Sequence, residues 1–191
     1  VISALLSRKR QVEIEESIIE MFQDFGIKPT YPMSIQRTAE ILGIKVVPYS
    51  SLSDEERVMA YAASSDAFHI RTSNFMDIRI IVDDTCGAYF YRSRFSGAHE
   101  LGHIWLAHKE DQPNIEEEAN YFAGYFLAPH PLILTSPANT NFAEAFGVSI
   151  DCASFAYDQA NSRVNEGSWR PHEQWLLEKS TWIGGGLLSQ M

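Results

Sequence analysis

The stretch from Arg92 to His108 contains no proline, and Phe95, Ala98, Leu101, Trp105 and Leu106 fall at intervals that fit one face of an amphipathic α-helix. Inside it lies His99-Glu100-Leu101-Gly102-His103. Residues four apart on a helix differ by about 40° in direction and one turn in height, so both imidazoles can reach one metal ion. The spacing therefore predicts His99 and His103 as ligands of a zinc ion, with Glu100 leaning toward its open position as general base. A helix that merely carries two surface histidines fits poorly with the apolar flanks. Two imidazoles and a carboxylate on a half-buried helix are costly without a ligand.

A catalytic zinc usually takes three protein ligands. His108 is tempting, but it follows His99 by nine residues, about 180° around the helix, and points away unless the helix ends early. The metzincin pattern needs Gly at position 106 and His at position 109, where this chain has Leu106 and Lys109. A third ligand is therefore sought on the next helix, expected from Asn114 to Leu127 after the break at Asp111-Gln112-Pro113.

That helix opens with Glu116-Glu117-Glu118, and acidic residues favour a helix N-terminus with or without a metal. With Asn114 as N-cap, Glu117 falls where it can close a capping box. Glu118 shares its face with Phe122 and Tyr125, whereas Glu116 lies on the stripe of Asn120, Ala123 and Leu127. Small Ala123 suits close approach to the motif helix. Glu116 is the expected third ligand and Glu118 the alternative, with Asn120 placed to orient a ligand imidazole.

Elsewhere the patterning predicts a helix from Gln11 to Phe25 stopped by Gly26, and another from Ser34 to Leu42 stopped by Gly43. Strands are expected at Ile44 to Tyr49 and at Arg79 to Val82. A hairpin is expected from Val58 to Ala63 and Ala67 to Arg71 around Ser64-Ser65-Asp66. A loop rich in Pro and Thr is expected from Pro129 to Thr140, then a helix from Ile150 to Val164 capped by Ser149. The resulting class is α+β, a small, mainly antiparallel sheet packed with the motif helix and further helices. Residues 1–10 read as an N-terminal leader, 11–166 as one main domain, and 167–191 as a tail of uncertain order carrying Trp169, Trp175 and Trp182.

A net charge of −10 argues against tracking a phosphate backbone, so no direct nucleic-acid partner is expected. The excess charge serves solubility first and attraction of a basic protein partner second. No apolar run approaches the roughly 20 residues of a membrane-spanning helix, and the chain reads as cytoplasmic. Cys86 and Cys152 lack the spacing of a thiolate metal site.

Through Arg94-Phe95-Ser96-Gly97-Ala98-His99-Glu100-Leu101-Gly102-His103 and Glu116-Glu117-Glu118-Ala119-Asn120-Tyr121-Phe122-Ala123, the chain resembles the ImmA/IrrE family of metallopeptidases. The likeness continues into Phe126-Leu127-Ala128-Pro129, with Ala128 where Met is common, and returns at Phe146-Gly147-Val148-Ser149. The resemblance implies a zincin-type domain whose metal is held by His99, His103 and a Glu of the following helix. It also implies an intracellular protease that cleaves a helix-turn-helix repressor, in mobile elements, phage-like regions or stress responses. Two other classes are carried alongside: a metal-binding sensor or scaffold that holds a regulator without cutting it, and a zinc hydrolase acting on another bond. Tyr89, Tyr91, Arg92, Arg94 and His130 are candidate oxyanion donors that the sequence does not rank.

Overall fold

The computed structural model describes residues 6–71, 77–85, 90–109 and 111–182; Cys86, Tyr89 and the glycines Gly184, Gly185 and Gly186 lie outside them. The described residues divide into two compact units, one within residues 35–123 and the other within residues 6–34 and 124–182.

The first unit holds α2 (Ile35–Ile41), β2 (Lys45–Pro48), α3 (Asp54–Ala63), β3 (Ala67–Arg71), β4 (Ile78–Val82), α4 (Phe90–Trp105) and the first part of α5 (Ile115–Leu127). Gly43 ends α2 with φ +74°, a left-handed conformation that costs glycine little, and the chain then turns directly into β2. The sheet order is β2-β4-β3. A mainly antiparallel sheet is expected; β3 runs antiparallel to β4 but β2 runs parallel to it, so the sheet is mixed. Tyr49, Ala60 and Ile81 form a buried cluster with Val47, Leu52 and Phe68 against it.

The hairpin expected at Val58 to Ala63 is instead the helix α3. Its start is fixed by a full capping box: the Ser53 hydroxyl accepts from the Glu56 amide at 3.3 Å, and the Glu56 carboxylate accepts from the Ser53 amide at 2.9 Å. Asp54, Glu55 and Glu56 fill the first turn, which suits the helix dipole. Val58, Met59 and Tyr61 are exposed, and Met59, Ala60, Ala62 and Ala63 favour a helix over a strand.

The second unit holds α1 (Arg8–Asp24), β1 (Thr30–Tyr31), the last turn of α5, α6 (His130–Thr135), α7 (Phe142–Phe146), α8 (Ile150–Val164), α9 (Pro171–Lys179) and β5 (Thr181–Trp182). α1 starts at Arg8, capped by the Ser7 hydroxyl, three residues before Gln11. The stretch expected as a Pro-rich loop contains α6, where Pro131 sits in the first turn and leaves no helical hydrogen bond unmade. Beyond Gly167 the described chain is ordered: α9 buries His172, Glu173 and Leu176, and β5 pairs with β1 in parallel. Phe22 packs against Phe126 and Trp175, and Tyr31 and Phe146 against Trp182. Two of the tail's tryptophans, both half-buried, thus pack against core aromatics of this unit.

Candidate metal centre

α4 packs on β3 and β4. Ala98, Leu101 and Gly102 face inward and are buried, which leaves His99 and Glu100 partly accessible. At Gly102 α4 meets Phe122 of α5 closely. A Cβ there would lie 3.0 Å from Phe122 Cδ1 and 3.1 Å from its Cβ and Cγ, so Phe122 would have to give way to admit it. The close approach assigned to Ala123 therefore falls on Gly102 and Phe122, although Ala123 is fully buried as well.

The approach brings Glu116 to the histidines. His99 Nε2 and His103 Nε2 lie 2.9 Å apart. Glu116 places one carboxylate oxygen 3.3 Å from the first and the other 3.4 Å from the second. One ligand atom from each of the three lies within 4.8 Å of the others. On the same stripe of α5, Asn120 Oδ1 sits 2.9 Å from His99 Nδ1, so Asn120 orients that ring as its position predicted.

His108 is placed differently from the expectation that it points away. α4 ends at Trp105, and Ala107 takes φ +54°. The Ala107 amide donates to the Ile104 carbonyl and the His108 amide to the His103 carbonyl, the double closure of a Schellman turn. That turn folds residue 108 back over residue 103, and the two rings meet with Nδ1 atoms 2.9 Å apart. His108 Nε2 then contacts Glu118 at 3.1 Å. His108 thus reaches the ring of His103 from the side away from Glu116, and Glu118 is engaged there. The early end had no signal in the sequence, because alanine stands where glycine usually marks such a turn.

Two residues of β3 were not foreseen. His69 Nδ1 lies 2.6 Å from Glu100 Oε2, and the Arg71 guanidinium donates to the His103 carbonyl at 2.9 Å. They stand two apart on a strand and so share a face. That alternation was legible, but nothing in the sequence tied the strand to the motif helix. The His69 and His103 rings stack at 5.8 Å. Burial, reinforced by His99, His108, His69 and Arg71, pushes the His103 imidazole down to about 3, so it is neutral across the physiological range.

Of the candidate oxyanion donors, Arg92 donates to Asp66 at 2.7 Å and Arg94 lies 5.7 Å over the Phe90 ring. His130 is buried in the second unit, 3.1 Å from Glu173, and Tyr91 is exposed. None of these contacts engages Glu100.

A peptidase family whose model is described as the IrrE N-terminal-like domain matches residues 39–156, more than half of the chain, and the match includes His69, His99, Glu100, His103, His108, Glu116 and Asn120. The chain belongs to this family. At the level of the family it is a metallopeptidase-type protein with a zincin-like α+β fold, and a metal ion is implied. A solved structure of a Mycobacterium tuberculosis transcriptional regulator is similar, with 19% identity and a TM-score of 0.45 over 74% of this chain and 45% of that one. This chain therefore spans less than half the length of that protein. No curated protein gives a significant match. Among the described residues, no helix is long and apolar enough to cross a membrane.

Proposed function

We propose that this chain is a zinc-dependent intracellular metallopeptidase with a regulatory role, in which His99, His103 and Glu116 hold the metal and Glu100 is the general base. One observation carries the proposal: His99 Nε2, His103 Nε2 and a Glu116 oxygen converge within 4.8 Å, beside a glutamate of the same helix. Ligands about 2.0–2.1 Å from a tetrahedral ion lie about 3.3 Å apart, and both Glu116 distances, 3.3 Å and 3.4 Å, meet that spacing. Two imidazoles and a carboxylate are also the donor set that zinc prefers at a hydrolytic site.

Zinc, when bound, supplies Lewis acidity that polarises a peptide carbonyl and acidifies water. The chain's own residues supply the rest. Glu100 Oε2 is tethered by His69, which holds the carboxylate in one rotamer and leaves Oε1 to take a proton from the attacking water. The same carboxyl can return that proton to the leaving amine. Asn120 keeps the His99 ring in place, and Arg71 holds the backbone of His103. A tethered base is of no use to a pure binding module, which favours hydrolysis over the sensor or scaffold reading.

The substrate, a helix-turn-helix repressor, is proposed from the family resemblance, and the acidic surface is compatible with a basic protein. The test incubates the zinc-loaded protein with a panel of helix-turn-helix repressors and with a peptide library. Cleavage is expected to fall roughly 10²- to 10⁴-fold in Glu100→Gln while the zinc content stays at wild type. Retained cleavage by that variant removes Glu100 from its role, and a stable uncut complex formed by the wild type turns the reading into that of a scaffold.

A further inference from the structure

We propose that Glu118 and His108 form a directional relay that locks His103 in the tautomer protonated at Nδ1, so that its Nε2 lone pair always faces Glu116 and His99. This rests on the zinc reading of the site. Glu118 and His108 are positioning residues, acting on the metal only through His103.

The direction follows from counting donors and acceptors. An ionised carboxylate only accepts, so the contact between Glu118 and His108 Nε2 at 3.1 Å requires the proton on Nε2. A neutral imidazole protonated at Nε2 has an accepting Nδ1. That atom lies 2.9 Å from His103 Nδ1, which must therefore be the donor. Nδ1–H on a neutral ring leaves Nε2 unprotonated, and Nε2 is the atom facing Glu116 at 3.4 Å. Only 5% of the His108 side chain and 14% of the Glu118 side chain are exposed, so water competes little for either contact.

The first ligand is set in the same sense by a different device. His99 Nδ1 meets Asn120 Oδ1 at 2.9 Å, which again places the proton on Nδ1. Two unprotonated Nε2 atoms then face each other at 2.9 Å beside a carboxylate. Lone pairs converging in this way repel, and a shared cation relieves the repulsion. The relay also assigns the neighbouring glutamates: Glu116 faces Nε2 of His103 and Glu118 supports its Nδ1. The Schellman turn makes the second assignment possible by stacking residue 108 against residue 103.

The test has two arms. Long-range ¹H–¹⁵N spectra of the zinc-free wild type should show His103 protonated at Nδ1 and His108 at Nε2; the opposite assignment for His103, or a doubly protonated His108 at neutral pH, overturns the relay. In the second arm, zinc affinity is measured by chelator competition on variants whose zinc-free melting curves match wild type. His108→Phe keeps the ring volume and removes the acceptor, and should weaken zinc roughly 10- to 100-fold. His108→Asn returns an acceptor oxygen and should recover most of that loss. Unchanged affinity in His108→Phe, or equal losses in both variants, also overturns the relay. If the wild type binds no zinc, the proposed function falls, and the spectra still decide the tautomers.

Discussion

Among the described residues, two clusters bring three ligand atoms within 4.8 Å of one another: His99, His103 and Glu116 in the first unit, and Glu15, His172 and Glu173 in the second. By distance alone they are equivalent, yet their surroundings are opposite. In the second cluster every carboxylate oxygen already has a donor. Glu15 accepts from Arg8 at 2.6 Å and from His172 Nε2 at 2.9 Å. Glu173 accepts from Arg163 through both oxygens at 2.6 Å, from the Arg170 amide at 2.6 Å and from His130 at 3.1 Å. Arginine charge fills the place a cation would take, and a further dication would have to displace it. In the first cluster the ring protons are turned outward, to Asn120 and His108, and the lone pairs converge. Proximity of donors does not make a metal site; the direction of protons and the balance of charge do.

The largest expected effect bears on the first cluster. Glu116→Gln should weaken zinc by more than the 10- to 100-fold typical of residues that only support a ligand. Glu15→Gln and Glu173→Gln should leave one zinc per chain. Elemental analysis and chelator competition read both, and zinc lost only in Glu118→Gln would reassign the third ligand. In the second cluster the effect should be on folding. Arg163, 2% exposed, and Glu173, fully buried, form a pair that also carries the Trp169 ring at 5.4 Å from the guanidinium. Arg163→Leu leaves a buried carboxylate without its main partner and should cost about 3–5 kcal/mol in chemical denaturation, with zinc stoichiometry unchanged.

A smaller effect is expected with pH. Burial alone would raise the Glu173 carboxyl, but hydrogen bonds from Arg163, His130 and the Arg170 amide, with the Arg163 charge, hold it far below the ordinary carboxylate range. A depressed folded value means that its stabilisation is fully present above about pH 4.5 and lost as pH falls from there toward the folded value. Stability measured between about pH 6 and pH 3 should therefore fall less steeply in Glu173→Gln than in wild type. An unchanged slope would show that other carboxylates govern acid unfolding. The smallest effect is at Ser53→Ala, which removes the capping box of α3 and should cost about 1 kcal/mol, read by thermal melting, without touching zinc affinity.

Where sequence reading worked and where it failed follow one physical division. α1, α2, α5 and α8 were legible because each combines a 3.6-residue apolar period with a cap or stop, as Ser149 and Gly43 show, and α4 from its period alone. α3 was misread although Met59, Ala60, Ala62 and Ala63 favour a helix and a capping box was present in the letters. α6 was misread because two prolines close together look like a loop unless one opens a helix. At the site, the spacing of His99, Glu100 and His103 and the α5 stripe of Glu116 and Asn120 were helix-local, so geometry along one axis sufficed.

The sequence by itself determined the class of chemistry on offer: which helix carries two imidazoles and a carboxylate on one side, and which glutamate of the next helix shares a stripe with Asn120. Tertiary structure alone decided what surrounds those groups. His69 and Arg71 come from a strand more than twenty-five residues upstream, and His108 returns only because Ala107 adopts a left-handed turn. Helical periodicity fixes direction about one axis, whereas partners across elements depend on packing and on turns whose cost the rest of the fold absorbs. The side of His99 and His103 that faces Glu116 was therefore written in the chain's local pattern, and the side that holds their rings in place was written in the fold.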